Sequence, residues 1–164
     1  SISISIGVRA WRRRCASTAS IDACGSAPGG MRTATFARAL GMTSTTYASA
    51  SGLDDVRNLS TAMDQAILAR AALRNPTFAH IVATRTHWTK WAAPTRAKLW
   101  VNHNKMLATP GTYGVKTGWT SRAGGCLIVA VRRGDRSVIG VLLGSPSIWS
   151  DMNALLNVAF QRLD

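Results

Sequence analysis

The chain has 164 residues, which suits one domain with a buried core, and its formal net charge is +13. A binding partner that is an anionic envelope polymer would fit this charge, and so would a bias toward Arg codons. Nucleic acid is not expected as a partner, because the basic residues are scattered and accompany no zinc-finger, RNA-recognition or heptad pattern. The 3 Cys and 3 His lack ligand spacing and no apolar run reaches membrane-spanning length, so we expect no metal, no cofactor and no transmembrane helix.

The beginning of the chain differs in composition from the rest. Ser1–Ile6 alternates Ser and Ile, a period-2 pattern that predicts a strand with one buried face. Arg12–Arg14 follows, and then a Ser/Ala/Gly/Pro stretch that ends at Pro28-Gly29-Gly30 and offers little to pack. We therefore predict an atypical, poorly determined segment over residues 1–30 and a structured region over residues 31–164.

The structured region opens with two helical patterns. The composition of Thr33–Leu40 predicts a first helix, with Gly41 placed to end it, and residues 42–55 predict a loop rich in Thr, Ser, Gly and Asp. Ser60 is expected to cap a second helix that runs to about Arg74. Its apolar residues cover a wide face, which predicts that most of this helix is buried. They are Met63, Ala66, Ile67, Leu68, Ala71 and Leu73.

Strands dominate the second half of the chain. A short helix is expected over 77–82, and short strands are expected over 84–91 and 99–102. Residues 126–131 and 138–143 predict a hairpin of two strands that are apolar at nearly every position, which indicates a sheet covered on both faces. The 3.6-residue period of Ser150–Leu163 predicts a closing helix that covers one face. The predicted class is mixed α/β, with an antiparallel sheet flanked by helices.

A Lys-Thr-Gly sequence stands just before this hairpin. The ammonium of Lys116 and the hydroxyl of Thr117 can hold a carboxylate, and Gly118 lets a substrate backbone lie flat against the strand. A phosphate-binding P-loop also uses Gly, Lys and Thr, but it needs Gly directly before the Lys, where this chain has Val115. The pattern therefore indicates a site for a carboxylate rather than for a phosphate.

Several groups of residues occur in a characteristic order. They are Leu40-Gly41-Met42-Thr43 with Ser51-Gly52-Leu53-Asp54, Ser60-Thr61-Ala62-Met63-Asp64 with Leu68-Ala69-Arg70-Ala71, Asn102-His103-Asn104-Lys105-Met106-Leu107, Gly114-Val115-Lys116-Thr117-Gly118-Trp119-Thr120-Ser121 with Ala123-Gly124-Gly125-Cys126-Leu127, and Leu143-Gly144-Ser145-Pro146. Together they resemble the serine-type D-alanyl-D-alanine carboxypeptidases, the low-molecular-weight penicillin-binding proteins, of which Lys-Thr-Gly is a signature motif.

The resemblance implies that residues 31–164 are a partial catalytic domain with the β-lactamase/transpeptidase-like fold, its N-terminal half missing. It implies an exported enzyme of peptidoglycan maturation at the extracytoplasmic face of the envelope. A location at the membrane periphery is compatible with this resemblance. Such an enzyme removes the terminal D-alanine from a stem peptide ending in D-Ala-D-Ala through an acyl-enzyme on Ser, and β-lactams trap that Ser. No signal peptide is visible and the chain begins at Ser1, so a fragment is expected.

The resemblance also implies a substrate-binding role for four residues. Lys116 would direct positive charge toward the substrate carboxylate, and Thr117 would hydrogen-bond that carboxylate. Gly118 would let the substrate backbone approach, and Thr120 would add a second hydroxyl. The alternative for Lys116 is a solvated lysine in a turn.

Other polar and aromatic residues are interpreted without a catalytic role. His103 has no accompanying Ser or Asp arrangement and is expected in a loop or as a supporting residue. Asp54 and Asp55 are interpreted as turn formers. Three tryptophans are expected to pack at the sheet rather than bind sugar, namely Trp88, Trp91 and Trp100.

The family's other two catalytic motifs are absent from these residues. None of the lysines follows a Ser by three positions, and neither Ser-x-Asn nor Tyr-x-Asn occurs. We therefore predict no catalytic residue here and expect a truncated or frame-shifted carboxypeptidase that is inactive alone. A non-catalytic binder of peptidoglycan or of a partner protein, and a basic nucleic-acid binder, are the alternatives. A missing half is expected to leave apolar surface exposed on the hairpin.

Overall fold

The computed structural model describes residues 29–48, 54–90 and 97–163. The strand expected over Ser1–Ile6 and the packing expected for Trp91 lie outside these residues. Helices and strands follow in the order α1 (Gly29–Ala39), α2 (Ala62–Ala72), α3 (Pro76–Ala83), β1 (Thr86–Lys90), β2 (Ala97–Val101), a 3₁₀ helix (Lys105–Ala108), β3 (Thr112–Thr120), β4 (Gly124–Arg133), β5 (Arg136–Ser145) and α4 (Ile148–Gln161). The mixed helix and strand content predicted from the sequence is confirmed.

A three-stranded antiparallel sheet forms the centre of the described chain. Its strand order is β3-β4-β5, so β4 is central and β3 lies at one edge among the described strands. The predicted hairpin is confirmed: Arg133 pairs with Arg136 across a turn in which Gly134 has φ +58°. A positive φ carries no steric penalty at glycine, which suits this residue to the tight reversal.

Both faces of the sheet are covered by helices. On one face α4 presents Met152, Leu155 and Phe160 to a core that includes Leu127 and Val129, both fully buried at 0% exposure. The helical period predicted for this segment is therefore confirmed. On the other face α2 packs against β4 and β5. The prediction that apolar surface is exposed on this hairpin is thus wrong within the described residues, because two helices of this chain cover the hairpin.

The buried face of α2 differs from the prediction. Ala66 and Ala69 form its contact with the sheet, against Ile128 and Val141, whereas Met63 is 54% exposed. Small side chains let the helix approach the strands closely, so side-chain size rather than hydrophobicity alone selects the buried face. The prediction that a wide apolar face buries most of this helix is therefore wrong.

Polar contacts fix the start of α2 and attach it to the preceding loop. The N-cap is Thr61, whose Oγ1 accepts a hydrogen bond from the Asp64 backbone N–H at 3.2 Å, so the expectation that Ser60 is the cap was wrong by one residue. Ser60 instead accepts from Gln65 Nε2 at 2.8 Å. The buried Asp64 accepts from Thr45 Oγ1 at 2.6 Å, which ties α2 to the loop that follows α1.

A second, two-stranded sheet pairs β1 with β2. Trp88 is 64% exposed and Trp100 is 45% exposed, so the prediction that they pack at the sheet is wrong. Trp100 Nε1 donates to Thr89 Oγ1 at 2.9 Å, and Lys98 Nζ lies 4.0 Å from the centroid of the Trp100 ring. Since no described layer covers this ribbon, Trp100 contacts Thr89 on the neighbouring strand and Lys98 on its own strand instead of a core.

Candidate functional site

The Lys-Thr-Gly sequence lies in the second half of β3, and a β-bulge sets the direction of its side chains. Gly114 pairs with Val129, but the next pair is Lys116 with Ile128, so Val115 is an extra residue on β3. Without the bulge Lys116 would stand opposite Leu127 and point into the core under α4. The extra residue reverses the alternation and keeps the ammonium out of that core.

The register distributes the predicted site residues over both faces of β3. Residues directly opposite each other in antiparallel strands share a face, and successive residues alternate. Lys116, Gly118 and Thr120 therefore share the face of Ile128, which α2 covers, whereas Thr117 shares the face of Leu127. A ligand that contacts both Lys116 and Thr117 must lie at the outer edge of β3, where the two faces meet.

The two polar groups of the motif are near each other and partly accessible. Lys116 and Thr117 are half-buried, and Lys116 Nζ donates to the backbone carbonyl oxygen of Thr117. Within the described residues the Thr117 hydroxyl has no hydrogen-bond partner. Its hydrogen can therefore be donated to an incoming carboxylate, with a cation one residue away.

Thr120 lies on the same strand but already has two hydrogen-bond partners. Its Oγ1 donates to Asp54 Oδ1 at 3.0 Å and accepts from the Ala123 backbone N–H at 3.0 Å. The hydroxyl thus joins the end of β3 to the β3–β4 turn and to a loop 66 residues earlier. Sequence reasoning missed Asp54 as part of this region, since nothing local in its turn-like surroundings indicates a contact so distant in the chain.

The neighbouring Asp55 is a turn former, as predicted. Its Oδ1 accepts from the Arg57 backbone N–H at 2.8 Å, and its carbonyl oxygen accepts from the Asn58 N–H at 3.0 Å. The hydrogen bond from the Arg57 side chain, aided by the one from the Arg57 backbone, lowers the pKa of Asp55 to about 2. Asp55 is therefore ionised at neutral pH and serves the loop rather than a proton transfer.

The Asn-His-Asn segment lies against the first half of β3. His103 is exposed in the loop that follows β2, in keeping with its predicted place in a loop. Asn104 is buried, and its Oδ1 accepts from the Met106 N–H at 3.0 Å. A Cβ on Gly114 would lie 2.9 Å from Asn104 Nδ2 and 2.8 Å from the Val82 carbonyl oxygen, so only glycine fits there. This close packing fixes the strand just before the bulge.

Metal and membrane features can be assessed over the described ranges. Those ranges contain no group of three or more His, Cys, Asp or Glu side chains placed to hold a metal ion. None of the helices in the same ranges combines the length and apolar character needed to cross a membrane. Cys126 is buried at the start of β4 and packs beside Ala123.

Comparison with known proteins gives a consistent set of matches. A family model described as D-alanyl-D-alanine carboxypeptidase, peptidase family S11, matches residues 25–147. The D-alanyl-D-alanine carboxypeptidase of Streptomyces sp. strain K15 is 35% identical over 134 residues, covering 77% of this chain and 46% of that protein. The D-alanyl-D-alanine carboxypeptidase DacB2 of Mycobacterium tuberculosis is 33% identical, covering 76% of this chain and 45% of that protein. The chain thus spans a little under half the length of these two relatives.

Solved structures match over the same region. The Streptomyces K15 DD-transpeptidase superimposes with a TM-score of 0.74 at 32% identity, covering 80% of this chain and 53% of that one. Penicillin-binding protein D2 from Listeria monocytogenes, in its cefotaxime-bound form, gives a TM-score of 0.70 at 29% identity, covering 80% and 54%. The transpeptidase-like fold expected from the sequence is confirmed.

Proposed function

The chain belongs to the D-alanyl-D-alanine carboxypeptidase family, and from that premise we propose that its β3 edge binds the D-Ala-D-Ala end of a peptidoglycan stem peptide. The observation that carries this proposal is the placement of Lys116, Thr117 and Gly118 at a half-buried outer edge of the sheet. There an ammonium, a hydroxyl without a hydrogen-bond partner among the described residues, and a backbone without a side chain lie next to one another.

Each residue has a role that follows from its surroundings. Lys116 supplies the positive charge that attracts the terminal carboxylate, and Thr117 donates its hydroxyl hydrogen to a carboxylate oxygen. Gly118 has no side chain, so the ligand backbone can pair with the strand there. Thr120 had been expected to donate a second hydroxyl to the substrate; because its hydroxyl already donates to Asp54, we assign it to holding the strand end.

The reaction proposed for the complete protein is serine-type hydrolysis of the terminal D-alanine through an acyl-enzyme, at the extracytoplasmic face of the envelope. β-Lactams, which mimic the same dipeptide, are its proposed inhibitors; cefotaxime is bound in the related Listeria protein. The present residues contain no Ser-x-x-Lys and no Ser-x-Asn. We therefore propose that this chain alone binds the ligand without cleaving it, because nucleophile and base act as a unit whose loss removes several orders of magnitude of rate.

Two binding ligands test the site. The chain is titrated with acetyl-D-Ala-D-Ala and with the same dipeptide carrying a C-terminal amide, while the backbone amide signals are followed by NMR. We expect the carboxylate ligand to shift the signals of residues 116–118 and the amide to bind at least tenfold more weakly, since a charged hydrogen bond contributes about 1.5–3 kcal/mol. K116A should remove that difference, and equal binding of the two ligands would exclude the proposed site.

Catalysis is tested separately by measuring free D-alanine released from acetyl-D-Ala-D-Ala. We expect no release above the buffer rate from this chain. A second candidate function, non-catalytic binding of peptidoglycan, predicts the same two results and adds retention on intact cell-wall sacculi. A nucleic-acid binder would instead bind duplex DNA with an affinity that falls steeply as salt rises, and would show no preference for the dipeptide carboxylate.

A further inference from the structure

Trp119 follows Gly118 directly and is 74% exposed. It pairs with Gly125, which has no side chain to cover the indole from the neighbouring strand. Its position is set by the strand register rather than by a flexible loop. A large aromatic side chain kept in water beside a candidate ligand site is a candidate contact for the ligand itself.

The ring also borders a shallow cavity of about 300 Å³. The cavity has no charged residue in its lining, which consists of Trp119, Gly124, Gly125, Gly144, Ser145, Pro146 and Ile148. Ser145 Oγ donates to Asp151 Oδ2 at 2.5 Å and accepts from the Ser147 N–H at 3.1 Å, so its hydroxyl is already engaged. The surface around the indole therefore favours an uncharged, apolar group.

The direction of a ligand along β3 follows from the proposed function. The carboxylate is placed at Lys116 and Thr117, and the ligand backbone is placed beside Gly118. A peptide bound in this way runs antiparallel to β3, and its preceding residues extend toward Thr120.

The pairing of the ligand with β3 then places the side chain that precedes D-Ala-D-Ala beside Trp119. Extended strands rise by about 3.3 Å per residue, so paired strands advance in step. With the terminal residue opposite Thr117 and the next opposite Gly118, the residue that precedes the dipeptide stands opposite Trp119. Opposite residues share a face, so its side chain and the indole point the same way.

We propose that Trp119 is a specificity-determining residue that packs on the side chain preceding D-Ala-D-Ala and favours a long, unbranched aliphatic group there. The inference rests on the proposed function, since it places the dipeptide at residues 116–118. Three observations converge on it: the exposure of the ring, the uncharged cavity beside it, and the strand register that pairs Trp119 with a glycine.

The test compares two ligands that differ only at this position. Acetyl-glycyl-D-Ala-D-Ala and acetyl-norleucyl-D-Ala-D-Ala are titrated into the full chain, and dissociation constants are measured by NMR. Removing one methylene group from water corresponds to about a fourfold gain in affinity, so a norleucyl side chain that packs partly on the indole should make its ligand bind about fivefold more tightly. W119A should abolish this preference while leaving the affinity for the glycyl ligand unchanged.

Two control variants separate the possible outcomes. W88A removes another exposed tryptophan, 64% exposed on β1, and should keep the fivefold preference. K116A should weaken both ligands equally and leave their ratio unchanged. A preference that survives in W119A, or that is absent from the unmodified chain while both ligands bind, overturns the assignment of Trp119 and leaves the dipeptide site intact. Binding of neither ligand overturns the proposed function and this inference with it.

Discussion

Gly111, at the turn that leads into β3, should be among the least replaceable residues of the chain. Its φ is +77°, a conformation that residues with a Cβ rarely adopt. A Cβ added there would also fall well inside contact distance of the Arg132 carbonyl oxygen. The Gly111 carbonyl oxygen in turn accepts a hydrogen bond from the Arg132 N–H at 2.8 Å, so neither backbone can move freely.

The expected loss combines two costs. A left-handed backbone costs a residue with a Cβ about 1–2 kcal/mol, and forcing an extra carbon into a packed site costs about 1–3 kcal/mol. G111A should therefore lower the free energy of unfolding by about 2–5 kcal/mol. Because small domains are stable by only about 5–15 kcal/mol, a change of this size shifts the unfolding midpoint clearly.

Gly41 offers a matched control for the two costs. Its φ is +83°, but a Cβ there would meet nothing within 4 Å. G41A should therefore show the conformational cost alone, about 1–2 kcal/mol. Urea denaturation of both variants, followed by circular dichroism with unchanged slopes, measures the difference. Equal losses for the two variants would refute the argument that contact with the Arg132 backbone makes Gly111 indispensable.

Two other perturbations address the loop beside the site. T120V should lower the free energy of unfolding by about 1 kcal/mol, because it removes the hydroxyl that joins Asp54 to the β3–β4 turn. A double-mutant cycle with D54A, measured by urea denaturation, should show a coupling energy of about 0.5–1 kcal/mol. Strictly additive losses would contradict the contact. R57A should raise the pKa of Asp55 from about 2 toward 3.8, the ordinary value of an aspartate side chain, as measured by NMR titration. The pKa of Asp55 is lower in the folded state than in the unfolded state. The contribution of this pair to stability is therefore present above about pH 4 and is lost as the pH falls through about 2. An unchanged pKa of Asp55 in R57A would refute the pairing.

The sequence predicted well those elements whose signal is local. The apolar runs of β4 and β5, the turn at Gly134 and the period of α4 all describe contacts within one element or between neighbours. The Lys-Thr-Gly motif was likewise placed on its strand. Local periodicity is sufficient there because each segment buries the face that its own pattern defines.

Features set by distant partners were missed. The bulge at Val115 decides which face Lys116 takes, yet it depends on how β3 pairs with β4. The contact between Asp54 and Thr120 spans 66 residues, and no local pattern encodes it. The exposure of Trp88 also escaped prediction, because hydrophobic composition alone does not state whether another layer covers a strand.

We propose that this chain keeps the ligand-binding strand of its family without the groups that perform acylation. Intact mass spectrometry after incubation with excess penicillin tests it most directly, with a full-length relative treated in parallel. We expect the relative to gain one penicilloyl group and this chain to gain none. A stoichiometric mass increase on this chain would contradict the account, since it would mean that one of its serines is an activated nucleophile.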